Sequence, residues 1–301
     1  MLADVRDSLA EVSVSLKARA ARLAIVGVLL AGSAHLTLAA GPAQAGQQAS
    51  ATFAEDFFTA SDGVKIHYLT AGATGSWVVL IHGYSDNAER MWFRTGIAPA
   101  IAKNHCVVAL DNRNHGKSDK PQAGGLGRAQ DVVELMDHLH IDRAHIHGYS
   151  MGGSMTAQLL GMIPQRFITA GFGGSGIQET DARLRAQAQA MDDALPKAEG
   201  DDAAAMTRFR NRVTELRPAN TPPMSEQQPA LDLRTLTIPV LGVNGSFDSP
   251  YSKTQRMWRE LPVFENVILA GKTHLTAISS NGAPPLYIDS IARFIDAYDK
   301  R

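Results

Sequence analysis

The run Gly148-Tyr149-Ser150-Met151-Gly152 constrains this chain more than any other feature. It stands between a short strand candidate at 144–147 and a helical pattern at 152–163 that stops before Pro164. A serine on so sharp a strand-to-helix turn is held in strained backbone geometry. Only glycines two residues to either side leave room for strand and helix to approach. The turn lifts the hydroxyl above the strand end, beside the free N–H groups and positive dipole end of the helix.

The rest of the chain supplies a setting for such a turn. Short apolar runs alternate with helical patterns, the mark of a mostly parallel sheet with crossover helices, an α/β class. Residues 65–69 alternate like an exposed early strand after an Asp62-Gly63 turn. Continuous apolar runs at 77–81 and 106–110 suit strands covered on both faces. Further strand candidates lie at 168–172, 238–243 and 267–269. Residues 128–139 place Val132, Leu135, Met136 and Leu139 on one helical stripe. A closing helix is expected to bury Leu286, Ile288, Ile291, Phe294 and Ile295. Residues 178–232 break the alternation: they are rich in Ala, Gln, Asp and Arg, then rich in proline from Pro218 to Pro229. Lying between two strands, they are expected to form a helical cap or lid over the site, with a loose return.

A serine hydroxyl is a weak nucleophile unless a base removes its proton and an acid orients that base. The strand at 238–243 runs into a loop carrying Asp248, and the strand at 267–269 into one carrying His274. Sites in open α/β sheets form at the carboxyl ends of strands, and Ser150, Asp248 and His274 each satisfy that rule. Their order along the chain, Ser, Asp, His, is the one found in folds that use a G-x-S-x-G turn. A developing oxyanion needs two preorganised N–H donors. Met151, after the serine, and Tyr84, after the strand that ends in His82-Gly83, are the candidates. The His82 ring is expected to brace its loop.

His82-Gly83-Tyr84, Asp111-Asn112-Arg113-Asn114-His115-Gly116-Lys117-Ser118 and Gly148-Tyr149-Ser150-Met151-Gly152-Gly153, with Asp248 and His274, resemble the motif series of α/β-hydrolase superfamily esterases across residues 55–300. The resemblance implies an α/β-hydrolase fold: a mostly parallel eight-stranded sheet flanked by helices, with a cap inserted after strand six. The core would then comprise residues 46–177 and 233–301, and the cap 178–232. It implies a serine hydrolase with a Ser150–His274–Asp248 triad acting on a small-molecule acyl substrate through an acyl-enzyme, with no cofactor and no metal. It gives the turn around Asp111 a structural role, with Asn114 where the family usually has Gly. The serine disfavours the epoxide hydrolase and haloalkane dehalogenase branches, which attack with aspartate. Carbon–carbon bond hydrolase and iminopeptidase chemistry on the same triad stay open, as does a non-catalytic ligand binder.

Other features bound the answer. The formal net charge of −1 builds no field for nucleic acid. The single cysteine, Cys106, cannot form an internal disulfide and sits in a strand-like run, as a small hydrophobe would. Lys17, Arg19 and Arg22 precede an apolar stretch at 23–40 that ends in Ala43-Gln44-Ala45. That pattern predicts a secretory signal peptide over 1–45, export to the periplasm or beyond, and no stable membrane span after processing. His138, His140, His145 and His147 cluster in sequence, yet their spacing completes no metal-ligand set. Trp77, Trp92 and Trp258 are expected to pack. Asp111 is the weaker alternative to Asp248, and Glu179, Asp181, Asp192 and Asp193 could serve an iminopeptidase as amine anchors.

Overall fold

The computed structural model describes residues 53–121, 129–216, 231–279 and 281–299. The signal peptide expected over 1–45 and the proline-rich return of the cap lie outside the described residues. Eight strands form one sheet: β1 (Ala54–Thr59), β2 (Lys65–Ala71), β3 (Trp77–Ile81), β4 (Cys106–Leu110), β5 (Ala144–Tyr149), β6 (Phe167–Gly173), β7 (Val240–Gly245) and β8 (Phe264–Leu269). Their spatial order is β1-β2-β4-β3-β5-β6-β7-β8. β2 runs antiparallel to both β1 and β4, and every pair from β4 to β8 is parallel.

β1 has no counterpart among the sequence-predicted strands. Four of its six residues, AEDFFT, are exposed and only Phe58 is buried, so it lacks the apolar run that marks the others. The helices are α1 (Ile97–Ile101), α2 (Ala129–His138), α3 (Met151–Met162), α4 (Ala182–Asp193), α5 (Gly200–Leu216), α6 (Pro250–Glu260) and α7 (Pro285–Tyr298), with a π-helical turn at Glu89–Phe93 before α1.

Alternation along the central strands sorts their side chains between two cores, as a pleat with a two-residue period must. Val79 and Ile81 of β3 and Val108 and Leu110 of β4 face α2 and α3. Val78, Leu80, Val107 and Ala109 face the opposite core, built from Trp92, Ile97, Ile101 and α7. The buried stripe of α7 is shifted from the one expected. Tyr287, Ser290, Ile291, Phe294 and Ile295 are buried at helical spacing, Ile288 is half-buried, and Leu286 is exposed at the helix start. Trp92 is fully buried, but Trp258 does not pack as expected; it stands 65% exposed and meets only the edge of Phe264 among aromatic rings. Cys106 is half-buried, its thiol facing the Thr74 carbonyl.

α4 and α5 lie between β6 and β7, where the cap was expected. Their sequences carry little apolar periodicity, and they bury little: Ala188 and Asp192 on α4, and Met206 on α5. No described helix is long and apolar enough to cross a membrane.

Candidate active site

Ser150 occupies the turn between β5 and α3 with φ 54° and ψ −113°, far from any region a non-glycine residue visits freely. The flanking glycines explain how the turn closes. A Cβ on Gly148 would stand 2.1 Å from the Gly152 carbonyl oxygen, and one on Gly152 would stand 2.0 Å from that of Ile81. The Ser150 N–H donates to the Gly173 carbonyl at the end of β6, fixing the turn against the neighbouring strand.

The three residues read from separate loops meet here. His274 Nε2 lies 2.9 Å from Ser150 Oγ, and His274 Nδ1 lies 2.8 Å from Asp248 Oδ2. With Nδ1–H donated to the carboxylate, Nε2 is left to accept the serine proton. Burial alone would raise the Asp248 carboxyl. The charges and hydrogen bonds of Lys253 and His274 outweigh it, so the group lies below the ordinary carboxylate value and stays ionised.

Two residues that support this chain of hydrogen bonds were not anticipated. Lys253, in the first turn of α6, places Nζ 2.6 Å from Asp248 Oδ1. Tyr149, the variable second position of the glycine-serine pentapeptide, donates its hydroxyl to the His274 carbonyl at 2.6 Å and lays its ring beside the imidazole. Lys253 could have been suspected only from its place just after Asp248-Ser249-Pro250. Nothing in the sequence marks Tyr149, because the contact spans 125 residues.

Tyr84 and Met151 both border the pocket beside Ser150. Met151 opens α3, where a backbone N–H has no intrahelical acceptor. The Tyr84 peptide is held on both sides. His82 donates Nδ1–H to the Gly83 carbonyl at 2.7 Å, while its Nε2 accepts the Asn112 N–H. His115 Nε2 lies 2.7 Å from the Tyr84 carbonyl. In a planar trans peptide the Tyr84 N–H points opposite the anchored Gly83 carbonyl. Burial pushes His82 down to about 4, so its ring is neutral and serves as this brace rather than as a base.

Asp111 does not reach His274. It accepts hydrogen bonds from the Ala88 and Lys117 N–H groups and contacts His67 Nδ1. Burial acts to raise it, but these bonds prevail and hold it at about 2. The cap carboxylates are likewise structural. Glu179 pairs with Arg259, Asp181 caps the first turn of α4, and Asp193 accepts from Gln189. Asp192 receives the Tyr251 and Ser252 N–H groups at 2.9 and 2.8 Å, capping α6 from the neighbouring helix. None of the four borders the pocket, so the amine-anchor expectation has no support in the geometry. Three of the four clustered histidines have partners of their own: His138 stacks on Phe58, His145 meets Thr169, and His147 meets the Tyr287 hydroxyl.

The pocket over Ser150 encloses about 380 Å³. Its floor is the hydrogen-bonded trio, and its roof is α5, which contributes Met206, Phe209, Arg210 and Val213. The Phe209 ring lies over that of His274, with centroids 5.4 Å apart. A hydroxyl hydrogen-bonded to an imidazole that a carboxylate orients, beneath a largely apolar roof, has the groups that acyl transfer on a small molecule needs.

The sequence profile of a family described as alpha/beta hydrolase fold matches residues 76–233. The dihydrolipoyllysine-residue acetyltransferase component of the acetoin cleaving system of Pseudomonas putida is 39% identical over 97 residues, 32% of this chain and 25% of that protein. The 2-hydroxy-6-oxo-6-phenylhexa-2,4-dienoate hydrolase of Comamonas testosteroni is 35% identical over 119 residues, 37% of this chain and 41% of that one. The chain therefore spans less than half the length of either relative. Among solved structures, the 2-hydroxy-6-oxo-6-phenylhexa-2,4-dienoate hydrolase from Rhodococcus sp. strain RHA1 superposes with a TM-score of 0.58 at 23% identity, over 82% of this chain and 98% of that one. That likeness is one of fold.

Proposed function

The chain belongs to the α/β-hydrolase fold family, and from that premise we propose that it is a serine hydrolase cleaving a carboxylic ester or related acyl bond of a small molecule. The observation that carries this reading is the continuous path Ser150 Oγ–His274 Nε2, His274 Nδ1–Asp248 at the floor of the pocket. His274 takes the Ser150 proton as Oγ attacks the acyl carbon, and Asp248 stabilises the imidazolium that results. The Tyr84 and Met151 N–H groups receive the oxyanion. His274 then protonates the leaving group, and water attacks the acyl-enzyme with the same base assisting. No step in this sequence calls on a cofactor. Export through the 1–45 leader belongs to the same proposal; the intact mass of exported protein should begin at Gly46, and a mass that includes the leader would reject cleavage there.

The test is hydrolysis of p-nitrophenyl esters of increasing chain length by the purified protein. Wild type should turn over one part of the series, and Ser150→Ala should lose about 10⁴-fold or more in kcat. Equal activity in the variant would end the proposal.

A second reading is favoured by one feature of the pocket. Arg210 on the roof offers a cation to a substrate carboxylate, and the Comamonas testosteroni relative is named for a dienoate. Cleavage of a carbon–carbon bond beside a ketone would use the same three residues. Loss of the absorbance of 2-hydroxy-6-oxo-6-phenylhexa-2,4-dienoate, with a KM that rises in Arg210→Ala, would support it. Turnover of esters alone would reject it.

A further inference from the structure

At the end of the sheet opposite Ser150, three buried side chains converge. His105 stands immediately before β4, His145 is the second residue of β5, and Asp299 closes α7. Each can offer one ligand atom, and the three atoms lie within 4.8 Å of one another. His105 Nδ1 is 3.6 Å from Asp299 Oδ2, and His145 Nε2 is 3.8 Å from Asp299 Oδ1. Both separations exceed a hydrogen bond, whose N···O distance is about 2.7–3.2 Å. The two imidazoles are 2% and 1% exposed, yet His105 Nδ1 and His145 Nε2 find no hydrogen-bond partner among the described residues. Burying such atoms without a partner is costly, which makes the arrangement hard to explain as plain packing.

We propose that His105, His145 and Asp299 form a binding site for one divalent transition-metal ion, zinc in the first instance, that ties the end of α7 to the base of the sheet. A tetrahedral zinc centre with bonds of about 2.0–2.1 Å sets its ligand atoms about 3.3–3.4 Å apart. With one Asp299 oxygen as ligand, the spacing here needs a contraction of a few tenths of an ångström on one side and of up to about 1.4 Å on the other two, within reach of side-chain rotation. Two nitrogens and one carboxylate oxygen suit zinc, and solvent completes the fourth position.

The outer contacts match those that orient metal ligands. The other His105 nitrogen, Nε2, lies 2.8 Å from Asp296 Oδ1, giving a carboxylate–histidine pair. The other His145 nitrogen meets the Thr169 hydroxyl at 2.8 Å, and Asp299 Oδ1 accepts from the Ser76 hydroxyl at 2.5 Å. Each ring is thus fixed with one nitrogen engaged and the other turned to the common centre. Because the site lies where strands begin, it is separate from the proposed chemistry at their opposite ends, and its effect would be on stability.

The experiment uses the full chain without a histidine tag, stripped with EDTA and desalted. Zinc is titrated in with the bound metal counted by mass spectrometry, and Co²⁺ is followed by its visible absorption. The expected result is one zinc per chain, four-coordinate Co²⁺ bands, and a Tm about 5–10 °C higher at a hundredfold excess over Kd. Asp299→Asn and His145→Ala should each abolish the stoichiometric metal and the Tm rise. Because Asp299 lies at the end of the sheet opposite Ser150, its variant should keep wild-type ester hydrolysis, which shows that it folds. No binding up to about 100 µM metal would overturn the proposal. So would full stoichiometry retained in both variants.

Discussion

The helix beneath Ser150 and the helices above it are built on opposite terms. α3 buries nine of its 12 residues, Met151 through Ala157 and then Leu159 and Leu160, and its Gly152 abuts backbone of the facing strand β3. α4 buries only Ala188 and Asp192, and α5 lays Met206, Phe209, Arg210 and Val213 over the pocket while most of its surface meets solvent. Under the serine, atoms are placed by contacts that leave no free volume. Above it, side chains shape a cavity without being locked by a core. Chemistry is therefore expected to depend on the lower helix and substrate choice on the upper pair.

The lower side should break at a single methyl group. Gly152→Ala puts a Cβ within 2.0 Å of the Ile81 carbonyl oxygen, so strand and helix must separate. A loss of about 3 kcal/mol or more is expected in chemical denaturation. A loss under about 1 kcal/mol would mean that the lower side is as adaptable as the cap.

The buried turn around Asp111 should respond to acid. Asp111 is held at about 2, below its unfolded value near 3.9, so its contribution is complete above the unfolded value and is lost as pH falls toward 2. Its size is about 2 kcal/mol, an order-of-magnitude figure for a buried and hydrogen-bonded group. Asp111→Asn should lower stability at pH 7 and lose less on going from pH 5 to pH 2 than wild type does. Parallel stability curves for the two proteins would show that Asp111 does not carry this coupling.

On the upper side, Phe209→Ala removes the ring over His274 and part of the pocket roof. A fall of about tenfold in kcat/KM is expected, mostly in KM, with Tm shifted by less than about 2 °C. A large drop in Tm would show that α5 is part of the folding core and would erase the contrast.

How far each region could be read from sequence follows the same contrast. Continuous apolar runs located β3 and β4 to the residue, because strands covered on both faces leave no room for polar side chains. Asp248 and His274 could be placed because each follows a strand candidate, and Ser150 because it centres the Gly148–Gly152 pentapeptide. β1 escaped because it is a mostly exposed strand whose pairing with β2 is made by backbone atoms. Tyr149 and Lys253 escaped because their partners are set by loop geometry rather than by local pattern. The acidic residues of the cap suggested a substrate anchor, but Asp192 is turned to the start of α6 and Glu179 to Arg259. His145 was visible as one of a run of histidines, yet its neighbours His105 and Asp299 are 40 or more residues distant in the chain and share no motif with it.

The central claim is that Ser150 is an activated nucleophile, and its most direct test is reaction with a fluorophosphonate followed by peptide mapping. One phosphonyl group per chain on Ser150 is expected, with labelling lost in Ser150→Ala and greatly slowed in His274→Ala. An unlabelled Ser150 in protein that hydrolyses esters, or labelling that persists at full rate in His274→Ala, would contradict the account.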